Sequence, residues 1–492
     1  MMIGMAFVKD IAFFDWLIIA GYFIAYLAVG KWAAKQIKGS DDFLIAERSL
    51  GKLPAALSTA ATDLGGAGLV GCAGLAYSIG IAGAWWDIAA APAWIILGLF
   101  LVGRLRKMSV MTVPEILEKR YGLRTRLLTS ILYIVGGTIN ITAQTTVAAI
   151  GITALTGIPQ IYTVIIAMVM FVTVTTMGGL IAVVWTDVLQ YFVLISGVLL
   201  VVPMAVFKIG GIGHVLASMP PAHLDIWSMG FMVPAAWVGM CFFSYGSNQQ
   251  FLQRVFSSKD VSTARFAYIF TGVQYLFYGI LVAFLGMTAY ILVPGLPNGD
   301  TAFAEMVKLV LPTGLKGLVL AGLLAATMSN SDSILNSVTT VFSIDIYRRI
   351  VNPKADSLKT LKVARIATVV IALCSLAASY FMGRILSIIV LANLVYSAGV
   401  FFPLIVGLFN KRVNANGAFC AILCGGIMAV TSKFCLYKHV GGFPGALHPI
   451  FAGAAVSLII LFAISFMTKA PEEDKVSFID GLKADASLIE KA

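Results

Sequence analysis

Long apolar runs, separated by short polar and basic segments, recur along almost the whole chain. About 20 consecutive apolar residues are enough for a helix to cross a bilayer. The pattern therefore predicts an all-α polytopic membrane protein of about 13 transmembrane helices. The predicted spans are residues 12–33, 52–78, 82–104, 125–156, 158–177, 180–208, 230–252, 263–292, 314–346, 363–383, 384–409, 414–437 and 447–467.

Two of these runs contain polar or glycine-rich interruptions at membrane depth. Residues 58–77 read STAATDLGGAGLVGCAGLAY, and residues 241–254 read CFFSYGSNQQFLQR. A broken helix in a membrane is tolerated only where the freed backbone groups face protein or a water-filled site. Two breaks at corresponding positions of two halves are typical of a transporter site. Counted from residue 52, the broken spans are the first and the sixth, which fits a repeat of five spans.

The predicted spans divide the chain into four parts. A first helix stands alone in residues 1–34, with the N-terminus outside, and the transport core begins with residues 35–383. Residues 384–467 hold the last core-associated helix and two peripheral helices, and residues 468–492 form a cytoplasmic tail. No stretch is long or polar enough for a separate soluble domain.

Composition and charge support a membrane location. The 492 residues are 60% hydrophobic and only 12% charged, against about 25% charged residues in soluble domains. With the N-terminus outside, 27 of the 34 Lys and Arg fall on the inner side. The positive-inside rule therefore predicts an external N-terminus and a cytoplasmic C-terminus. The net charge of +11 follows from this topology, which argues against a nucleic-acid partner.

Acidic residues within the spans point to cation binding. Asp63, Asp87, Asp187 and Asp332 are the acids of interest. Ionisable residues inside a membrane are costly and are functional candidates by default. We expect no deeply placed Lys or Arg to pair with these acids. Unpaired carboxylates in a low dielectric need a cation or a proton.

The ninth span carries a polar stripe along one helical face. Its members recur at intervals of three, four and seven residues, which places them on one side of a helix. They are Ser329, Asp332, Ser333, Asn336, Thr340 and Ser343. The stripe predicts either hydrogen bonding to a partner helix or a site for a hard cation that prefers oxygen ligands. Carbonyls freed by the break near residues 61–64 would complete such a cation site.

Further polar and aromatic residues are candidates for lining a central solute cavity. Each alone is a weak signal, because polar residues also join helices to one another, and tryptophan is a common interfacial anchor. The set comprises Asp63, Gly65, Trp86, Asp87, Asn140, Gln144, Tyr245, Asn248, Gln274, Asn393 and Tyr396. All four histidines fall in predicted outer loops, and the six cysteines form no metal-ligand cluster. These observations argue against an enzyme.

Four stretches resemble the sodium:solute symporters, a family that includes sodium-coupled transporters of proline, pantothenate, sugars, sialic acid, monocarboxylates, iodide and choline. They are DDFLIAERSLG at 41–51, GGLIAVVWTDVLQ at 178–190, YGSNQQFLQRVFSSKD at 245–260, and AATMSNSDSILNS with the following DIY at 325–347. Their order and spacing match over nearly the whole chain. The resemblance implies a LeuT-like core of two inverted five-helix repeats on spans two to eleven.

The resemblance also implies sodium as the coupling ion. The main sodium site would take the backbone carbonyls of Ala61, Leu64 and Ala326 and the side chains of Ser329 and Asn330. Family members usually have Ser or Thr in place of this asparagine. A second sodium site, present in some members, would use Asp187, Ser329, Asp332 and Ser333. Asp332 stands where serine is more usual, as in the choline-type members, and would either strengthen that site or favour a proton.

The sequence therefore predicts a sodium-coupled symporter that imports a small organic solute by alternating access. The buried acids favour an amino acid, an amine or a polyamine. A proton-coupled symporter and a sodium-coupled sugar or monocarboxylate symporter of the same fold are alternatives, and a passive channel or transporter-like sensor is an alternative of a different class. We expect a multi-pass protein of a bacterial inner membrane, in contact with lipid and with no obligatory protein partner evident.

Overall fold

The computed structural model describes residues 12–156, 159–381, 385–436 and 448–477. The described chain is helical, and its single β-bridge joins Leu50 to Ser258. The helices of the first part are α1 Phe13–Ala34, α2 Ser40–Ile45, α3 Lys52–Asp63, α4 Gly66–Ile79, α5 Trp85–Ile88, α6 Ala90–Phe100, α7 Val102–Lys107, α8 Val113–Tyr121, α9 Leu123–Thr156 and α10 Gln160–Lys208.

The second part continues the bundle and ends with two long helices that pack on each other. Its helices are α11 Ile212–Ser218, α12 Pro221–Leu224, α13 Met232–Ser247, α14 Gln249–Ser257, α15 Val261–Leu292, α16 Ala302–Val310, α17 Leu315–Val341, α18 Ser357–Phe381, α19 Ile385–Gly407, α20 Ala415–Thr431 and α21 Pro449–Met467. Wider π-helical turns, Phe342–Val351 and Ser432–Leu436, continue α17 and α20. The predicted boundary at residue 383 lies outside the described residues.

Within the described ranges, nine helical stretches are long and apolar enough to cross a membrane. This number is smaller than the predicted thirteen, because the stretches Gly68–Phe100 and Ile161–Lys208 each contain parts of two predicted spans. The second broken span also divides into α13 and α14, neither of which is long by itself. Of the predicted span 384–409, only the shorter apolar stretch Val395–Gly407 is found. The all-helical prediction is therefore confirmed.

A left-handed glycine divides α10 into two spans. A straight helix of its 49 residues would be about 70 Å long, more than twice the roughly 30 Å of a bilayer core. Gly179 interrupts the helix with φ 49° and ψ −141°. A Cβ atom at this position would collide with the carbonyl oxygen of Phe43 on α2. Glycine is therefore required both for the backbone conformation and for the close approach of α2.

The polar stripe of α17 lies at the centre of the bundle. Of the residues in the most apolar stretch of α17 and its π-helical continuation, 83% are buried, against 56% or less for the other candidate spans. Helices α9 and α10 pack on α17 from two sides, and α1 packs on α10. Helix α15 supports the other half of the bundle by packing against α3, α4 and α6.

The segment after α2 covers the end of α14. Ala46, Glu47 and Arg48 all have positive φ values, between 48° and 57°, a conformation that costs non-glycine residues about 1 kcal/mol or more each. The Arg48 guanidinium holds the segment in place by donating to the carbonyl of Ser109 at 2.8 Å. Leu50 then pairs with the backbone that follows α14. Helices α3, α7 and α17 also pack on α14, and all nine of its residues are buried.

Replacing Gly179 with alanine is expected to lower the thermal stability of the purified protein. The substitution adds left-handed strain of at least about 1 kcal/mol and a collision with the backbone of Phe43. Gly21→Ala is the control, since a Cβ atom there meets nothing within 4 Å. The melting temperature in detergent, followed by intrinsic fluorescence, should fall only for Gly179→Ala. Equal melting of both variants would contradict the structural role of Gly179.

Candidate functional site

The first helix break frees two backbone carbonyls for a ligand. Helix α3 ends at Asp63, and Leu64 has the non-helical angles φ −68° and ψ 69°. The amide of Gly65 bonds to the carbonyl of Asp63 at 2.7 Å, and the amide of Gly68 bonds to that of Gly65 at 3.0 Å. In a continuous helix these amides would bond to the carbonyls of Ala61 and Leu64. Both carbonyls are therefore released from that pairing at the break.

Helix α17 packs against this break through Thr327 and Asn330, which lie beside its polar stripe. A Cβ atom on Gly65 would lie 3.7 Å from the side-chain nitrogen of Asn330, and one on Gly66 would lie 3.0 Å from the Thr327 side chain. The side-chain oxygen of Asn330 is buried and accepts no hydrogen bond from any described residue. The helix turn that contains Ala326 and Asn330 thus faces the residues predicted to share the main sodium site with it.

Asp187 on α10 joins three other helices through its carboxylate. Oδ1 accepts from the Ser329 hydroxyl of α17 at 2.5 Å, and Oδ2 accepts from the Ser58 hydroxyl of α3 at 2.5 Å. The guanidinium of Arg254 on α14 lies 3.1 Å from Oδ2. These four residues are buried. Asp187 therefore holds Ser329 in a fixed orientation beside the first break.

The expectation that no Lys or Arg lies deep enough to pair with the acids is wrong for Asp187. Arg254 is 1% exposed, and its guanidinium also donates to Ser333 Oγ at 2.5 Å and to the carbonyl of Gln250 at 2.8 Å. The sequence places Arg254 at the end of an apolar span, where an arginine ordinarily reaches the interface. Here the covering segment around Leu50 buries α14, so the guanidinium faces the core instead.

Asp332 lies on the same helix as Ser329 but has different neighbours. Its Oδ2 accepts from the Tyr26 hydroxyl of α1 at 2.6 Å, and its Oδ1 accepts from the Thr175 hydroxyl of α10 at 3.0 Å. It is fully buried. The residues predicted for a second sodium site therefore fall into two groups, one around Asp187 with Ser329 and Ser333, the other around Asp332.

The second helix break contributes to a small polar cavity. Helix α13 ends before Asn248, whose side chain caps α14 by accepting from the amide of Gln250. The cavity lies between α9, α14, α17 and α19, and its walls include Tyr133, Asn140, Asn248, Gln250 and Tyr396. Oδ1 of Asn140, Oε1 of Gln250 and the Tyr396 hydroxyl have no hydrogen-bond partner among the described residues. The cavity thus offers unused hydrogen-bonding groups at three points.

Asp63, at the first break, lies against a cluster of aromatic rings. The Trp94 indole N–H donates to Asp63 Oδ2 at 3.0 Å, and the Tyr245 ring stacks on Trp94 with centroids 4.3 Å apart. The rings of Phe251 and Tyr268 meet Trp94 edge-on at 5.3 and 4.6 Å. In the described part of the chain, Asp63 forms no ion pair with Lys or Arg. The site therefore combines a carboxylate with aromatic rings and has no counter-ion among the described residues.

Asp87 is the second buried acid on this side of the bundle. It is 5% exposed, and its Oδ2 accepts no hydrogen bond from any described residue. Gly68 of α4 packs beside its Oδ1, since a Cβ atom there would lie 3.7 Å away. The neighbouring Trp86 is 46% exposed and meets Trp237 of α13 edge-on at 5.6 Å. Asp87 thus lies close to α4, and Trp86 lies between the two broken helices.

Two predicted cavity residues, Gln274 and Gln144, are not brought together with the rest, and a third, Asn393, has no described side chain. Gln274 accepts from the Tyr191 hydroxyl at 3.1 Å in an apolar groove between α10 and α15. The next residue, Tyr275, hydrogen-bonds to Asp63 instead. The two neighbours face different parts of the bundle because consecutive helical residues are rotated by about 100°. Gln144 lies on α9 with its side chain partly exposed. The side chain of Asn393 lies outside the part of the chain that the structure describes.

Several residues of the site carry no signal in the sequence. Trp94, Tyr133 and Tyr268 lie in apolar runs in which an aromatic residue is ordinary. Only the packing of separate helices brings Trp94 to Asp63, Tyr133 to Ser337 and Tyr268 to the Trp94 ring. Arg254 is recognisable only in retrospect, as the basic end of the second broken span. Tyr26 belongs to the first helix, which the pattern sets apart from the core.

The chain's similarity to known proteins decides its family. A model of the sodium:solute symporter family matches residues 43–425, which is well over half of the chain. The chain belongs to the sodium:solute symporter family. The symporter covers most of each of three curated relatives.

The sodium/glucose cotransporter of Vibrio parahaemolyticus is 28% identical over 471 residues, covering 86% of each chain. The high-affinity proline transporter PutP of Bacillus subtilis is 25% identical and covers 91% of this chain and 97% of the relative. The sodium/sialic acid symporter SiaT of Proteus mirabilis is 24% identical over 86% of this chain and 90% of the relative. The relatives are transporters, so the symporter is not an enzyme.

Solved structures agree on the fold. A sodium-coupled sialic acid symporter in a substrate-bound, outward-open state superposes with a TM-score of 0.80 at 21% identity, over 93% of this chain and 99% of the other. Mhp1, a transporter of the nucleobase-cation-symport-1 family, superposes with a TM-score of 0.57 at 14% identity, over 90% of this chain and 99% of the other. The symporter therefore has the predicted LeuT-like fold and is a multi-pass membrane protein.

Removing one partner of the Asp187–Arg254 pair is expected to destabilise the symporter strongly. Arg254→Gln leaves a buried carboxylate without its counter-ion, a change that costs about 3–5 kcal/mol in proteins. Adding Asp187→Asn should recover part of the loss, because the double variant buries no unpaired charge. The comparison is thermal or denaturant unfolding of the purified proteins.

Arg349→Gln is the control, because this arginine pairs with Glu118 while 45% of its side chain is exposed. Solvent-exposed ion pairs contribute about 1 kcal/mol or less to the free energy of unfolding. Unfolding of Arg254→Gln that matches Arg349→Gln would contradict the central role of the buried pair.

Proposed function

We propose that the symporter imports a cationic or zwitterionic amine together with sodium. The main sodium ion binds between the first break and α17, and the solute binds beside Asp63. The observation that carries the proposal is that the break between α3 and α4 lies next to the carboxylate of Asp63. The break releases carbonyls next to Gly65, which packs beside Asn330, and the carboxylate that ends α3 lies among aromatic rings with no counter-ion from any described Lys or Arg.

The main sodium site uses neutral oxygen ligands supported by a nearby negative charge. The carbonyls of Ala61, Leu64 and Ala326 and the side-chain oxygens of Ser329 and Asn330 are the ligands. The Ser329 hydroxyl donates a hydrogen bond to Asp187 at 2.5 Å, which leaves the oxygen lone pairs of Ser329 available for the ion. A ligand held by a carboxylate in this way is both oriented and made more basic. The free oxygen of Asn330 supports its use as a ligand in place of Ser or Thr.

The solute site favours a positively charged group. A buried carboxylate needs a counter-ion, and among the described residues the side chain of Asp63 has the Trp94 indole and nearby tyrosine hydroxyls as partners. Aromatic faces attract ammonium groups, by about 2 kcal/mol or more when water is excluded. Asp87 adds a second carboxylate with an unused oxygen. An amine, a polyamine or an amino acid with its ammonium group toward Asp63 fits this arrangement.

A sugar is the second candidate solute, and the polar cavity favours it. Asn140 and Gln250 present unused acceptor oxygens there, and the Tyr396 hydroxyl is also unpaired. Such groups suit a solute with several hydroxyls, because a site built from hydrogen-bonding groups rejects solutes that leave them unpaired. The sodium/glucose cotransporter named above shows that the family includes transporters of such a solute.

Sodium drives uptake through alternating access. Binding of sodium at the first break stabilises the conformation that also binds the solute, so each ligand raises the affinity for the other. The membrane potential contributes about 2.3 kcal/mol per charge per 100 mV. One sodium ion therefore supplies enough free energy for uphill accumulation.

The charge distribution supports an external N-terminus and a cytoplasmic C-terminus in a cell membrane. Basic residues cluster where α7, α8 and α9 meet and in the π-helical turn after α17. Large apolar side chains such as Phe207 and Phe277 are exposed on the outer surface of the bundle and contact lipid. Labelling of an N-terminal tag on intact cells tests this orientation, and labelling only after permeabilisation would contradict it.

Ser329→Ala is expected to weaken sodium binding about tenfold or more, since it removes one ligand oxygen and the hydrogen bond to Asp187. Ser331→Ala is the matched control, because this buried serine donates only to the carbonyl of Thr327 within its own helix. The measurement is sodium-dependent thermal stabilisation of the purified symporter, with stabilisation rising as sodium saturates the site. Equal sodium affinities in the two variants would contradict the assignment of Ser329.

A charged amine and its neutral carbon isostere separate the two candidate solutes. Choline and 3,3-dimethylbutanol have nearly the same shape, and only choline carries a charge. We expect choline to displace a fluorescent or radiolabelled amine probe in the presence of sodium, and the alcohol to fail. Asp63→Asn should weaken this displacement by about tenfold or more, because the counter-ion is lost. Stabilisation of the symporter by glucose, with none by choline or by the amine probe, would favour the sugar transporter instead.

A further inference from the structure

A cavity of about 590 Å³ lies where the end of α8, the start of α20 and the chain after α21 meet. Its walls include Arg120 in the last turn of α8, Asn416 in the first turn of α20, and Lys469 and Lys475 after α21. None of its lining residues belongs to the sodium and solute sites proposed above. The proposed topology places this cavity at the cytoplasmic face.

Arg120 brings a buried positive charge to the cavity. Its side chain is 2% exposed. The guanidinium donates to four carbonyls of the turn between α19 and α20 at 2.8 to 3.4 Å, those of Gly407, Asn410, Lys411 and Val413. No described Asp or Glu forms an ion pair with Arg120, and its Nη1 has no hydrogen-bond partner among the described residues. Because an arginine stays charged when buried, this group requires an anion.

The first turn of α20 adds backbone donors to the same cavity. The Asn414 side chain caps this helix of 17 residues by accepting from the amide of Gly417 at 2.9 Å. The amides of Ala415 and Asn416 come before that bond, and amides in the first turn have no partner within a helix. Both residues are exposed and line the cavity. A helix N-terminus of this kind favours a negative charge, and phosphate groups in particular.

Positive charges outnumber negative ones among the residues that line the cavity. Arg120, Lys469 and Lys475 are the basic residues, and Glu472 is the acid among them. The ammonium group of Lys475 lies 3.3 Å from Asp474, in a pair that is partly exposed and therefore weak. The cavity thus keeps a positive balance that the described part of the chain does not neutralise.

We propose that this cavity binds the phosphate group of an anionic ligand. The guanidinium of Arg120 and the amides of the first turn of α20 contact the phosphate oxygens, and Lys469 and Lys475 add charge at its edge. Guanidinium groups and helix N-termini are both common phosphate-binding elements. The inference goes beyond the proposed function, because it depends on neither the solute nor the coupling ion.

The surface next to the cavity favours a membrane phospholipid as the source of the phosphate. Phe466 and Met467, at the end of α21, are 63% and 82% exposed, so acyl chains have an apolar surface beside the head-group site. Arg412 lies over the Phe466 ring, 5.3 Å from its centroid, and adds a further positive charge. Basic pockets at the cytoplasmic ends of membrane helices bind anionic head groups. A soluble phosphate compound presents the same group without the chains.

Binding to the delipidated full-length symporter in a maltoside detergent tests the proposal. The probes are phosphatidylglycerol, phosphatidylcholine and potassium phosphate, with potassium chloride as the salt control and no sodium present. Native mass spectrometry measures lipid binding, and the melting temperature reports stabilisation by each probe. We expect phosphatidylglycerol to bind more tightly than phosphatidylcholine and to raise the melting temperature. Stabilisation by phosphatidylglycerol alone identifies a lipid site, whereas stabilisation by potassium phosphate identifies a site for soluble phosphate compounds.

The double variant Lys469→Gln, Lys475→Gln should weaken binding of the effective probe about tenfold or more, since two charges near the phosphate are lost. The double variant Lys354→Gln, Lys359→Gln is the matched control, because both lysines are exposed and lie outside the cavity. It should bind the probe as the wild type does.

Asn416→Asp separates a binding role from a structural one. The new carboxylate repels a phosphate in the cavity, yet it is favourable for the N-terminus of α20 itself. We expect loss of probe binding with no loss of thermal stability in the absence of probe. Arg120→Gln should also abolish binding, but it loosens the turn between α19 and α20, so the lysine and Asn416 variants keep the test valid if it fails to fold.

Two results would overturn the proposal. One is phosphatidylglycerol that binds no more tightly than phosphatidylcholine, together with no stabilisation by potassium phosphate. The other is a probe affinity that is the same in Asn416→Asp and in the two double variants. Neither result bears on sodium-coupled uptake, which is measured separately.

Discussion

The buried carboxylate of Asp187 is the interaction on which the rest of the site depends. It accepts hydrogen bonds from α3 through Ser58 and from α17 through Ser329, and it pairs with Arg254 of α14. Four helices from distant parts of the sequence are thus fixed around one charge. In a low dielectric this charge is costly unless every partner is present. The position of the first break relative to α17 is therefore specified closely.

The two helix breaks treat their freed backbone groups in different ways. The first break leaves carbonyls without helical partners, which are then available for an ion or a solute. The second break is closed by its own side chain, since Asn248 caps α14. What α14 contributes is a short buried helix that carries Gln250 toward the polar cavity and Arg254 toward Asp187. Each break thus has its own chemistry, one providing backbone oxygens and the other delivering side chains.

Helix α17 distributes its polar stripe between two environments. Ser329 and Ser333 face the Asp187 group, whereas Asp332 faces α1 and α10. Successive residues of a helix are rotated by about 100°, so residues three and four positions apart on the stripe can face two different seams. A single arginine then neutralises only one of the two acids. This uneven distribution of charge connects the predicted ion sites with the packing of the first helix.

The sequence by itself determined the membrane-spanning architecture, the two interruptions and the polar face that begins at Ser329. These features depend on local composition and on helical periodicity, which a single segment contains. Only the tertiary structure decided which polar groups meet. Arg254 was expected at the interface and is buried, because a segment 200 residues earlier covers its helix. Gln274 was expected in the cavity and faces an apolar groove, while the adjacent Tyr275 turns toward Asp63. In a low dielectric the partner of each polar group decides its role, and partners come from helices that lie far apart in sequence.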